Sequence, residues 1–466
     1  MTTLTQLRTG QLQGTQRLDI SCNLTEFPRE IFDLADSLHT LNLSGNALAH
    51  LPDDLPRLHQ LRVLFCSENQ FTELPAVLGQ CPQLQMVGFK SNRISHVPAA
   101  ALPPQLRWLI LTDNHIATLP DALGHCTQLQ KLMLAGNRLT QLPDTLAACH
   151  RLELLRISAN RLTALPPWLL NLPRLAWLAY GGNPFSEAFE TAHQPSESSN
   201  PPTTVQWQHL TLQHLLGEGA SGVIHQALWQ PNPATAPEQV AIKLFKGAVT
   251  SDGWPLSELA ACLSAGAHPG LIPTTGVLVG HPGGAAGLVM PCIPPHFTTL
   301  AGPPSLESCT RDVYAPHTRF SLATVMRIAL SAASAAQHLH AQGLLHGDLY
   351  AHNLQCTAQG DCVLGDMGAA SFLPMHDLAT SQALQRLEVR ALGCLLEELL
   401  AHGEACVDDS DACFALRHLC VQCLHSDVAA RPLFGQVVAQ LQALKSQKYN
   451  PQREAARFLP GFKVLK

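Results

Sequence analysis

Two carboxylic acids and one amide stand close together in LLHGDLYAHNLQCTAQGDCVLGDMGAA, residues 344–370: Asp348, Asn353 and Asp366. They occupy three short polar islands among apolar residues. Groups at these intervals suit a metal-bound nucleotide, with one acid facing an acceptor and the other two groups holding the ions. Such a site also needs an element that cradles phosphate and a cation that pairs with it.

Both have candidates upstream. LTLQHLLGEGASGVIHQALW places Gly217, Gly219 and Gly222 in G-x-G-x-x-G spacing, followed by Ile224. That glycine set also suits a dinucleotide fold, where the turn opens a helix. Here VIHQALW is rich in strand formers, which favours a hairpin flap that lowers backbone amides onto phosphates. VAIKLF then puts Ala241 and Lys243 in a strand-like run, and Glu258 follows in a helical pattern that ends before His268.

In this order the pieces resemble a protein kinase. Val-Ala-Ile-Lys resembles the strand whose lysine contacts the α- and β-phosphates, and Glu258 is the candidate to position Lys243. HGDLYAHN resembles the catalytic loop H-R-D-L-x-x-x-N. DMG resembles D-F-G, and LVMPCIP around Met290 looks like the hinge to the adenine. The resemblance covers residues 208 to about 446. It implies catalytic roles for Asp348, Lys243 and Glu258, with metal held by Asn353 and Asp366. Nucleotide would be held by Gly217, Gly219, Gly222, Ile224, Ala241, Lys243 and Met290. The implied cofactors are ATP and magnesium, with manganese as the alternative ion.

The first part of the chain is self-similar. Units beginning at Leu38, Leu61, Leu84, Leu106, Leu129, Leu152 and Leu175 are separated by 22 or 23 residues, the leucine-rich repeat period. In each unit the L-x-L section is a strand with leucines turned inward, and an asparagine (Asn46 in the first, Asn183 in the last) serves the backbone at a turn. Between the leucines, fourteen positions point out of the concave sheet. Eight are large and apolar: Val63, Phe65, Met86, Trp108, Ile110, Met133, Leu154 and Trp177. That strip predicts a surface for a protein substrate or regulator. The alternative is that the chain's own second half covers it.

The expected architecture is an α/β leucine-rich repeat solenoid followed by an α+β bilobal protein-kinase-like domain. The boundaries are repeats 1–190, a polar, proline-rich linker 191–207, kinase-like domain 208–446 and a tail 447–466. Taken whole, the chain resembles a bacterial leucine-rich repeat protein kinase, without the membrane span of receptor-like kinases or the GTPase motif of Roco proteins. A net charge of -6 argues against a nucleic-acid binder working through general positive charge. The first residues lack the apolar core of a secretory signal, and no long charge-free apolar window appears. Fifteen cysteines without framework spacing fit free thiols in a reducing cytoplasm. Cys420 and Cys423 read as core cysteines in a helix, ahead of a metal or redox pair.

The loop departs from the kinase pattern at several points. Gly347 replaces the arginine that binds a phosphorylated activation loop in many kinases. Tyr350 stands where serine/threonine kinases have a phosphate-binding lysine, His352 where some tyrosine kinases have arginine, and Met367 replaces phenylalanine. Only 22 residues separate Asp366 from Glu388, with no A-P-E, so the usual platform for protein substrates is shortened and Arg431 loses its expected partner. Three readings are therefore carried: a serine/threonine-directed protein kinase, a pseudokinase scaffold acting through its repeats, and a kinase for a small molecule.

Overall fold

The computed structural model describes residues 3–193, 203–219, 221–247, 249–250, 252–404 and 411–447. After a short helix α1 (Thr3–Arg8), eight three-residue strands form one parallel sheet in sequence order: β1 (Arg17–Asp19), β2 (Thr40–Asn42), β3 (Val63–Phe65), β4 (Met86–Gly88), β5 (Trp108–Ile110), β6 (Lys131–Met133), β7 (Leu154–Arg156) and β8 (Trp177–Ala179). Most of the short 3-10 turns on the opposite face follow a proline in extended conformation, such as Pro75, Pro98, Pro120 and Pro143. Proline suits that entry because the first turn needs no N–H from it.

The repeat asparagines are spent on the backbone. The Asn137 amide donates to the carbonyls of Leu111 and Leu134, both at 2.9 Å, while its oxygen accepts from the Ile116 N–H at 3.0 Å. The same ladder recurs at Asn69, Asn92, Asn114, Asn160 and Asn183, satisfying carbonyls and N–H groups that the tight turns bury. Helix α2 (Pro184–His193) closes the solenoid.

The second half opens with β9 (Thr204–Gln206), which lies inside the stretch read as linker and pairs in parallel with β13 (Gly276–Val279). Residues 191–193 of that stretch belong to α2, and residues 194–202 and the tail after Gln447 lie outside the described residues. β10 (Leu210–Glu218), β11 (Gly222–Trp229), β12 (Glu238–Phe245) and β14 (Gly287–Pro291) complete an antiparallel sheet in the order β10-β11-β12-β14-β13-β9. The hairpin expected around the glycines is the β10–β11 turn. Helix α3 (Pro255–Ser264) accompanies this sheet.

Below it lies a helical lobe. The two-residue β15 (Thr298–Thr299) precedes α4 (Leu322–Ala341), followed by β16 (Leu344–Leu345), β17 (Leu354–Cys356), β18 (Cys362–Leu364) and β19 (Ser371–Phe372). Then come α5 (Leu378–Ala401), α6 (Asp411–Cys423) and α7 (Phe434–Gln447). Cys420 and Cys423 are buried in α6, where burial pushes both thiols up to about 12, as expected of core cysteines. The expectation that every cysteine is free needs correction at one place: Cys356 and Cys362 form a disulfide across the β17–β18 hairpin, where their strand register sets them opposite each other.

The halves share apolar cores. Leu345, Leu373, Leu384, Leu387 and Val428 join the solenoid core, and Leu154, Ala176 and Trp177 of the repeats join that of the helical lobe. Val63 and Met86 pack with Cys309, alongside Phe65, Trp108 and Leu306. The concave strip is thus not an open partner surface. Trp177 is 1% exposed and Met86 2%. Val63 and Leu154 are buried too, and Phe65, Trp108, Ile110 and Met133 are half-buried; apart from Ile110, these residues pack against the chain's own second half. The physical reason is that so long an apolar strip gains more from burial within the chain than from exposure to water.

Candidate active site

Three elements deliver charged groups to one cleft between the sheet and the helical lobe. Strand β12 alternates Ile242 into the sheet core and Lys243 toward the cleft, where its ammonium meets Glu258 of α3 at 2.5 Å and Asp366 at 3.2 Å. Burial disfavours the Lys243 ammonium, yet the two carboxylates hold its pKa above the ordinary lysine value. Asp366 experiences the reverse. Desolvation by surrounding protein would raise its carboxyl, but Lys243 and the Gly368 N–H hold it below the usual carboxylate range, so it stays ionised. Its left-handed backbone, φ 53°, aims the side chain into the cleft as the cap of the next turn.

Gly219, Gly222, Ile224, Lys243, Met290 and Asp366 line this cleft together with Leu364 and Met367. A side chain at Gly217 or Gly219 would meet no protein atom within 4 Å, so the turn stands open above the cleft. Ala241 is buried in β12 opposite Met290 and is not among the lining residues, and neither is Gly217.

The catalytic-loop candidate is fixed from below. Buried Glu388 of α5 accepts from the Gly347 N–H at 2.6 Å, from the His346 N–H at 3.3 Å and pairs with His340 at 2.7 Å. Burial pushes the Glu388 carboxyl up, but these partners reverse the shift and keep it below its ordinary value. His346 bonds the Gly365 carbonyl at 2.9 Å, tying this loop to the one that carries Asp366. Asn353 donates from its amide to both the backbone carbonyl and the carboxylate of Asp348, each at 2.9 Å.

Repeat residues complete the surroundings: Arg156 and Tyr180, which were not among the expected site residues, and Trp177, which was expected to face a partner. Arg156 of β7 is buried; its Nε donates to Asp252 at 2.6 Å, its Nη1 to the Gly347 carbonyl at 3.0 Å, and its Nη2 to the Asp348 carboxylate. Burial opposes the guanidinium charge, but Asp348 and Asp252 outweigh it and raise the pKa. The Trp177 indole donates to the Leu349 carbonyl at 3.1 Å and stacks on Tyr350 with ring centres 4.2 Å apart. Tyr180 donates to the Phe372 carbonyl at 2.9 Å. The available signal was charge: among the fourteen outward concave positions, Lys131 and Arg156 alone are ionisable.

Residues 210–397 match a model of protein tyrosine and serine/threonine kinases. The chain joins leucine-rich repeats to a protein kinase domain. Leucine-rich repeat models match at 37–58 and in overlapping stretches from 82 to 185. Among curated proteins, the chain is similar to cyclin-dependent kinase 10 of Homo sapiens, Rattus norvegicus and Mus musculus, 28% identical over 207 residues in each case. That alignment covers 40% of this chain, and it spans about half (53%) of the length of those relatives. These relatives are mammalian, so the bacterial side of the resemblance gains no support from them. Among the described residues, no helix is long and apolar enough to cross a membrane.

The short activation segment of the kinase domain has a definite structure. β19 pairs with β16, and α5 begins at Leu378, so that only residues 373–377 separate them. Arg431, expected to lack its partner, donates to three backbone carbonyls instead, those of His425, Arg386 and, across the domain boundary, Pro173.

Proposed function

We propose that this chain is an ATP- and magnesium-dependent protein kinase. The observation that carries this is the cluster of Lys243, Glu258 and ionised Asp366 in one cleft, with the Asp348–Asn353 pair on a loop tied to the Asp366 loop through His346 and the Gly365 N–H, which donates to the Asn353 carbonyl at 3.0 Å. Among the described residues no cluster of three or more His, Cys, Asp or Glu side chains could hold a metal by itself. Magnesium takes one or two protein oxygens and completes its shell with phosphate and water. Asp366 and the Asn353 oxygen are the donors. Bound magnesium would offset triphosphate charge; manganese would serve the same donors.

The chain's own groups do the rest. The glycine turn covers the phosphates, Lys243 holds them from the strand, and Glu258 keeps Lys243 in place. Asp348 accepts the proton of the acceptor hydroxyl, and Asn353 fixes its orientation. Serine or threonine is favoured over tyrosine as acceptor on frequency among protein kinases alone. A cytoplasmic, nucleic-acid-independent role remains part of this reading.

Coverage of the concave strip weakens the scaffold alternative, because the surface on which a partner was expected is already used. The Asp348 side chain is 19% exposed, so any acceptor must be slender: an extended peptide side chain or a small molecule. The test is transfer of labelled phosphate from magnesium ATP to a serine, threonine and tyrosine peptide library. Asp348→Asn should lower the rate by about 10²–10⁴-fold and Lys243→Met by about 10²–10³-fold. Equal labelling by wild type and Asp348→Asn would refute the assignment.

A further inference from the structure

The loop that should grip the transferring phosphoryl group contains no free cation. Tyr350 lies stacked on Trp177, and His352 is engaged by Asp312, whose carboxylate takes both its ring Nδ1–H at 2.7 Å and its backbone N–H at 3.0 Å. Yet phosphoryl transfer depends on positive charge at the γ-phosphate, and that charge is effective when it is fixed in advance.

We propose that the repeat domain supplies this charge: Arg156, from the concave strand β7, is the catalytic cation of the kinase domain. This rests on the phosphotransfer reading above. Three features carry it. First, the guanidinium touches Asp348, the group that faces the acceptor, and is anchored independently of it by Asp252 and by the Gly347 carbonyl. Second, those contacts use three of the five N–H donors of arginine, which leaves two; the side chain is 2% exposed, so a phosphoryl oxygen would have to reach them beside the Asp348 carboxylate, which is 19% exposed. Third, a second repeat cation stands nearby. Lys131 is 7% exposed, its ammonium lies 4.5 Å over the Trp108 ring, and among the described residues no carboxylate comes within ion-pair distance of it. Burial pulls its pKa down, partly offset by Cys309 and Asp348. A buried ammonium without a carboxylate is a place for an anion.

Gly347 shows why the loop and the repeats must be read together. With φ +74°, its absent Cβ would stand 2.4 Å from the Ala369 carbonyl oxygen and 2.8 Å from that of Leu178, in the repeats. The position where many kinases carry arginine is thus one at which a side chain would block the approach of the repeat sheet. In the transfer step, a bond forms between the acceptor oxygen and the γ-phosphorus as the bond to the β,γ-bridging oxygen breaks. ADP leaves with that electron pair, the acceptor proton passes to Asp348, and Arg156 offsets the charge on the phosphoryl oxygens.

The experiment compares intact wild type with Arg156→Ala and Arg156→Lys, measuring kcat and KM for magnesium ATP, thermal midpoints and the effect of added millimolar guanidinium. Arg156→Ala should lose about 10²–10³-fold in kcat, with KM for ATP little changed and part of the rate restored by guanidinium. Arg156→Lys should keep the charge but lose the fork, and fall about tenfold; it decides the matter where the alanine variant fails to fold. A folded Arg156→Ala that transfers phosphate as fast as wild type, or faster, overturns the proposal and makes Arg156 a plug, with phosphotransfer itself intact. ATP binding without transfer in every form, wild type included, removes the phosphotransfer reading and the inference with it.

Discussion

At the scale of single residues, charges are held in place by burial and by fixed partners. His352 illustrates it. Burial disfavours its imidazolium, but the hydrogen bond and charge of Asp312 win and hold its pKa above the ordinary value of 6.5. A raised folded pKa means the pair stabilises fully below about pH 6.5 and loses that contribution as pH rises through the folded value. The gap in melting temperature between wild type and His352→Gln should therefore be wide near pH 6 and narrow near pH 9. A gap of equal size at both would contradict a charged pair. The residues of the cleft were readable because their chemistry is tied to short local patterns. Arg156 was not, because its partner Asp348 lies 192 positions away and no local pattern connects them.

At the scale of elements, the loop carrying Asp348 is held between α5 and the edge of the repeat sheet. Glu388 holds it from one side through two backbone N–H groups. Replacing Glu388 with alanine leaves those donors and His340 unmatched in the interior and should cost about 3–5 kcal/mol by denaturant unfolding. On the other side, Gly347 permits the approach of β8. Restoring the arginine common in kinases, Gly347→Arg, should lower both stability and transfer rate, by at least the roughly 1–3 kcal/mol of a forced left-handed residue. A variant as stable and active as wild type would show that the loop and repeats are not in contact in solution. Repeat spacing revealed the solenoid, since one period recurs seven times. The two-residue strand β19 and the edge strand β9 carry no such period, and tertiary pairing alone defines them.

At the scale of the whole molecule, the repeats behave as a third lobe of the kinase domain. Trp177 sits at the centre of that contact, fully buried, stacked on Tyr350, and with Arg311 5.5 Å over its ring. Trp177→Ala should cost about 3–5 kcal/mol, and calorimetry should find the repeats and the helical lobe melting in one transition. Two well-separated transitions would mean that the shared cores are not cooperative. The apolar strip was legible in the sequence; its occupant was not, because a periodic pattern shows which face is sticky and gives no direction to what covers it.

The central claim, that a repeat arginine and a kinase-loop aspartate work as one site, is tested most directly by a double-mutant cycle on kcat. Wild type, Arg156→Ala, Asp348→Asn and the double variant would be compared under saturating magnesium ATP. If the two act as a unit, the double variant will be no slower than the slower single variant, because removing either already dismantles the shared step. Losses that multiply, or a gain of rate on removing Arg156, would contradict the account.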